Sequence, residues 1–262
     1  MHRFGIWGLV AVLVVTSAAP ALAQQKLSPS ETVLTFYRFL RESRFSEGLA
    51  HSVYREAVDG LDEGDLAELE QEFRQTFSDI PATIEIRGEQ VSGDNATVFA
   101  RFGQEEDVQE VALVSEGGRW LVGDREALAQ VRNERTAFFF NTRIQVNHNE
   151  VFRLMQRIAG GEDVYFQAKK VYAALDELAA HDNLGDDLKA GVASGYRFTV
   201  NLTPDRTAFT VVAVPLRYGR TGKLSFFANA KSIHASDAGG RPVNEQAPVL
   251  VEDLFKNPAE KP

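Results

Sequence analysis

Gly195-Tyr196-Arg197-Phe198-Thr199-Val200-Asn201, Phe209-Thr210-Val211-Val212-Ala213-Val214-Pro215, Leu224-Ser225-Phe226-Phe227-Ala228 and Ile233-His234-Ala235 follow one another before Gly239-Gly240. In the first run Tyr196, Phe198 and Val200 face one way and Arg197, Thr199 and Asn201 the other, the two-residue period of a half-buried strand. The second run is apolar on both faces for part of its length, as in a strand covered from both sides. Pro215, lacking an N–H, stops its ladder or lies at an edge. Thr203-Pro204-Asp205-Arg206 is a turn. Together these runs predict a three- or four-stranded antiparallel sheet. The helical pattern in front of it places Val151, Leu154, Met155 and Ile158 on one face. Gly160-Gly161 interrupts that pattern at a cost of about 1 kcal/mol per glycine, so a break or kink is expected there.

The first half reads differently. Ser28-Pro29-Ser30-Glu31 is a helix start with a capping box, followed by Val33, Leu34, Phe36, Tyr37, Phe39 and Leu40. A second start falls at Ser46-Glu47. Leu66, Leu69, Phe73 and Phe77 mark a third helix whose other face is heavily acidic. At Ile80-Pro81 the period shortens to two. Ile84 to Val91, Ala96 to Phe102, Val108 to Val114 and Arg119 to Val122 are strands, with turns at Ser92-Gly93-Asp94 and Glu116-Gly117-Gly118. Helices followed by a meander predict an α+β domain with helices on one face of a curved antiparallel sheet. The expected organisation is a first domain over 28–124, a connecting segment over 125–146, a second domain over 147–242 and a loosely packed tail over 243–262. Within the connection, Thr136-Ala137-Phe138-Phe139-Phe140 reads as a buried strand or as the packing surface between the domains.

Residues 1–23 read as an export signal: a basic start at His2-Arg3, an apolar run from Gly8 to Val15, and the small-x-small pattern Ala21-Leu22-Ala23. The expected address is periplasmic or secreted, with no membrane span after signal cleavage. The chain has no cysteine, so lipoprotein anchoring, disulfides and thiolate metal sites are excluded. A formal net charge of −9 argues against nucleic acid as a partner.

The residues that carry the first domain's pattern, Ser28 to Val33 with Phe36-Tyr37, Ile84-Glu85-Ile86, Val91-Ser92-Gly93-Asp94 and Gly118-Arg119-Trp120, resemble the nuclear-transport-factor-like, cone-shaped α+β superfamily. That resemblance implies a pocket between sheet and helices. Asn149-Glu150, Ser194 to Thr199, Ala213-Val214-Pro215, Tyr218 to Gly222 and Ser225-Phe226-Phe227 resemble the globular head of type IV pilin and pseudopilin-like proteins. A filament-forming pilin needs a processing site and a long apolar stem helix. Neither is visible here, so the head reads as a module reused in another context.

Catalysis in the first domain's pocket would use His51, which titrates near neutrality, with Tyr37 and Tyr54 as hydrogen-bonding partners. No carboxylate sits at a telling spacing from His51. Asp59-Gly60-Leu61-Asp62-Glu63-Gly64-Asp65 does not fit a calcium loop and reads as a solvated segment in which Asp62 or Asp65 starts the third helix. Asp182, Asp186 and Asp187, with Asp237, are a second calcium candidate without a defined motif. His148 and His234 lack a second ligand at metal spacing. Arg217, Tyr218, Arg220 and Lys223 form a basic loop, read either as a contact for an acidic partner or as a hairpin whose arginines pair with local acids. No nucleophile elbow, phosphate loop, dinucleotide fingerprint or zinc motif occurs, so no cofactor or metal is expected. The sequence thus predicts a non-catalytic exported accessory protein acting in binding or envelope assembly, with an unknown protein partner or a small apolar ligand. The alternatives are a small-molecule binder or enzyme using the first domain's pocket, and a pseudopilin-like secretion component.

Overall fold

The computed structural model describes residues 26–104, 106–182 and 186–250, leaving aside the side chains of residues 182, 186 and 187. The expected export signal and the end of the tail from Val251 lie outside these residues, as do the side chains of the calcium candidates Asp182, Asp186 and Asp187.

The fold is α+β, with two antiparallel sheets. Ser28 caps α1 (Pro29–Arg41): its hydroxyl accepts from the Glu31 N–H at 3.2 Å, and the Glu31 carboxylate accepts from the Ser28 N–H at 2.8 Å. Such a cap contributes about 1 kcal/mol. Val33, Phe36 and Leu40 form the buried stripe of this helix. Short α2 (Phe45–Leu49) and α3 (Arg55–Val58) follow. α4 (Glu63–Thr76) begins at Asp62, whose carboxylate accepts from the Asp65 N–H at 2.8 Å, and it buries Leu69 and Phe73. The strands β1 (Ile84–Ser92), β2 (Asn95–Phe102), β3 (Val108–Glu116) and β4 (Arg119–Val122) pair in sequence order. Ala96, Val98, Ala100 and Phe102 turn one face of β2 into the core shared with α1 and α4.

After α5 (Arg125–Glu134) and a 3-10 turn at Arg135–Ala137 comes α6 (Phe138–Lys169). The aromatic run is the first turn of this helix and not a strand. Phe140, Ile144, His148, Val151 and Met155 are buried at three- and four-residue intervals, so Phe140 opens a helical stripe. The break expected at Gly160-Gly161 is absent: α6 continues to Lys169 and ends on Lys170 at a φ of 64°. Tertiary packing overrides the local penalty, because buried Ile158 precedes the glycines and fully buried Glu162 follows them. α6 is shared between two cores. Phe140 lies in the first, and Val151, Met155 and Ile158 lie in the second.

The second sheet follows α7 (Leu175–Asp182) and α8 (Asp186–Lys189). It orders β5 (Val192–Ala193), β6 (Tyr196–Leu202), β7 (Phe209–Pro215), β8 (Leu224–Ala228) and β9 (Ile233–Asp237) as one meander. It has five strands where three or four were expected, because two-residue β5 is too short to display a period. The tail is also better anchored than its composition suggests. The Ala235 N–H donates to the Pro248 carbonyl at 3.1 Å and the Leu250 N–H to the Ile233 carbonyl at 2.8 Å, which continues the sheet beyond β9. Among the described residues no helix is long and apolar enough to cross a membrane.

Candidate functional site

Two arrangements of charged and aromatic side chains stand out, one between the two cores and one beside the first sheet. Between them, the basic loop joining β7 to β8 meets the acidic face of α4. Arg217 makes a bidentate pair with Glu68, at 3.0 and 2.6 Å. Arg220 donates to Asp65 at 2.6 Å, and its guanidinium lies 4.0 Å from the centroid of the Phe140 ring. Arg143, on α6 and largely buried, binds Glu68 as well and forms an ion pair with Glu72 at 2.7 Å. Burial alone would raise the Glu68 carboxyl; the hydrogen bonds from Arg217 and Arg143 outweigh it and hold Glu68 below the usual carboxylate range. The other loop residues also have partners. The Tyr218 hydroxyl donates to Asp237 at 3.0 Å, and the Lys223 ammonium donates to the Asn141 side chain at 3.3 Å. The acids that meet these arginines are therefore not local: they lie 149 and 155 residues away in sequence.

His148 anchors the end of the same loop. Its Nε2 accepts from the Lys223 and Leu224 N–H groups at 3.1 and 3.2 Å. Burial, then the Lys223 charge, lower it to about 4, so the ring is neutral at physiological pH. His234 is held between the Ser232 hydroxyl at 2.8 Å and the Ala247 carbonyl at 2.7 Å. Asp62 caps α4, and Asp65 is taken by Arg220. Among the described residues no cluster of His, Asp or Glu has the arrangement of a metal site.

The three residues expected to share a pocket are dispersed. Tyr37 packs edge-on against Phe36 and Phe102, at 4.9 and 5.1 Å, and borders a hollow of 430 Å³ with Pro81 and Gln104. Tyr54 lies 5.3 Å from the Phe138 ring, at the junction with α6. Burial raises both phenols. His51 lies elsewhere, and no hydrogen bond joins it to either tyrosine among the described residues. It stacks on Phe39 at 5.8 Å and lines a cleft of 590 Å³.

That cleft is the candidate site. The approach to α1 supplies Lys26 and Leu27, α1 supplies Thr32, and the segment after α2 supplies Ala50 and His51. The β3–β4 hairpin supplies Gly117, Arg119 and Trp120. Parallel pairing of Ser52 with Val122 holds the His51 segment against β4: the Val122 N–H donates to the His51 carbonyl and the Val53 N–H to the Val122 carbonyl, both at 2.9 Å. Gly118, at a φ of +72°, makes room for lysine, since a Cβ there would stand 2.3 Å from the Lys26 Nζ. Burial lowers His51 below its ordinary value, and the charges of Arg119 and Arg38 lower it further. The cleft therefore joins an indole and two aliphatic side chains to two cations and an imidazole, with no carboxylate in its lining.

Of this lining, only His51 was singled out from the sequence. Arg119 and Trp120 read there as a strand after a hairpin turn and, with Gly118, as part of the cone-like resemblance, not as site residues. Lys26 precedes the first helix and carries no periodic signal. The chain matches no family model, no curated protein and no solved structure.

Proposed function

We propose that the chain is an exported, non-catalytic accessory protein that works by binding, with its ligand site in the cleft between α1 and the β3–β4 hairpin. The observation that carries this reading is the composition of that cleft: a Trp120 wall beside Lys26 and Arg119, around a histidine with no carboxylate to orient it. General acid–base work asks for a group held in a productive orientation. Among the described residues no hydrogen bond orients the His51 ring, and no carboxylate lines the cleft, which favours binding over the enzymatic alternative.

Four helices beside a four-stranded meander support a nuclear-transport-factor-like cone for the first domain. One long helix on a five-stranded meander supports a pilin-head-like second domain. The first half of α6, where a filament protein would extend a free apolar stem, is occupied by the first domain through Phe140 and Arg143. In this reading the pilin-like head is a soluble module fixed to a binding domain.

Hydrogen–deuterium exchange tests the proposal on protein recovered after export, with and without a whole envelope extract and, separately, its small-molecule fraction. Slower exchange is expected over 26–32, 50–51 and 117–120. Unchanged exchange there would remove this reading. Slowing confined to 217–223 would instead favour the pseudopilin-like alternative, in which an envelope component competes with Glu68 and Asp65 for the basic loop.

A further inference from the structure

We infer that the ligand of the Trp120 cleft is a small organic anion, a carboxylate carried on a flat apolar body. The inference rests on the binding reading above and narrows it.

A volume of 590 Å³ lies within the range of about 300–1,000 Å³ typical of small-molecule sites. Trp120, Leu27 and Ala50 offer apolar contact suited to a planar or short-chain body. Charge supplies the rest. Lys26 Nζ lies against Gly118, the residue next to Arg119, so both cations belong to the same rim of the cleft. Among the described residues neither has a carboxylate partner. The nearest acids in sequence are engaged elsewhere: Glu31 caps the start of α1 and Glu116 pairs with Arg132.

Acids are plentiful in a chain of net charge −9, and Arg143, Arg217, Arg220, Arg101 and Arg206 each meet one, whereas the lining of this cleft holds none. The cleft thus sets two cations beside a half-buried indole with no acid in its lining to neutralise them. A guanidinium with an ammonium beside it suits a carboxylate, which accepts from both. A small apolar ligand, one of the two partners expected from sequence, would leave both cations unused.

The chain supplies its own probe. Trp7 and Trp120 are its only tryptophans, and Trp7 lies within the expected export signal. In the exported full chain carrying Trp7→Phe, Trp120 is the sole indole whether or not the signal is removed. Its fluorescence would be titrated with 4-nitrobenzoate and, separately, with 4-nitrobenzamide, the same ring without the charge. Saturable quenching is expected from the carboxylate, with the amide weaker by about tenfold, an effect of one ion-paired contact. Arg119→Glu and Lys26→Glu should each weaken the carboxylate by about tenfold while leaving the amide within about twofold, and Arg119→Lys should retain most of the binding. Circular dichroism would confirm that each variant is folded. Equal binding of amide and carboxylate would overturn the anion inference and leave the binding cleft standing. Absence of saturable quenching by either compound would overturn both.

Discussion

At the residue scale, two buried titratable groups set opposing demands on pH. Glu162 is fully buried. One carboxylate oxygen accepts from the Ala173 N–H at 2.8 Å, while the other is buried without a partner. Burial pushes the group up to about 7 against the pull of that hydrogen bond and of Arg206; Glu177 and Asp163 push the same way as burial. The unfolded chain releases this proton near 4.5, so stability falls as pH rises from there through about 7. His148 acts in the opposite sense. Its folded value of about 4 lies below the ordinary 6.5, so stability falls as pH drops through that interval. Glu162→Gln, which cannot ionise, is expected to raise stability at pH 8 by about 1–3 kcal/mol and to change it little at pH 5. Thermal melts at the two pH values check this; an equal change at both would show that ionisation of Glu162 carries no cost.

At the element scale, α6 shows how tertiary contacts outvote local preference. Two adjacent glycines ordinarily end or bend a helix, yet this one runs for 32 residues. A Cβ on Gly160 would meet no atom within 4 Å, whereas Gly161 is buried. Gly160→Ala should therefore stabilise the protein by about 0.5–1 kcal/mol, the usual gain from removing glycine's unfolded-state freedom in a helix. Urea denaturation is the measurement, and a loss of stability would mean that the helix needs glycine's freedom at that point. The caps were readable in advance because capping is local: Ser28 with Glu31, and Asp62 ahead of α4, satisfy N–H groups within three residues. Continuity across Gly160-Gly161 was not readable, since it depends on Ile158 and Glu162 meeting partners distant in sequence.

At the scale of the whole molecule, α6 and the ionic cluster around Glu68 join the two cores into one body. Surface ion pairs are individually worth about 0–1 kcal/mol, but Arg143 is largely buried and shares Glu68 with Arg217. Replacing Arg217 and Arg220 together by Glu would set two new acids against Glu68, Asp65 and Glu72. The expected cost is about 2–4 kcal/mol, with melting divided into two transitions as the two cores uncouple. Differential scanning calorimetry checks this, and a single transition at the wild-type temperature would show that α6 alone couples the two cores.

Although α6 begins at Phe138, within the segment read as a connection before residue 147, the α+β class, both meanders, the starts of α1 and α4 and the basic loop were written in the order of residues. Each follows from periodicity, caps and turns, which operate over a few positions. Partnership was not. The sequence offered Arg217 and Arg220 to an outside partner or to local acids, and the fold brings them to α4, far away along the chain. It grouped His51 with Tyr37 and Tyr54, and the fold separates them, placing His51 instead beside Lys26, Arg119 and Trp120. Backbone patterning is encoded by near neighbours. Which side chains share a cleft or a charge depends on how the completed elements pack, and no local pattern records that.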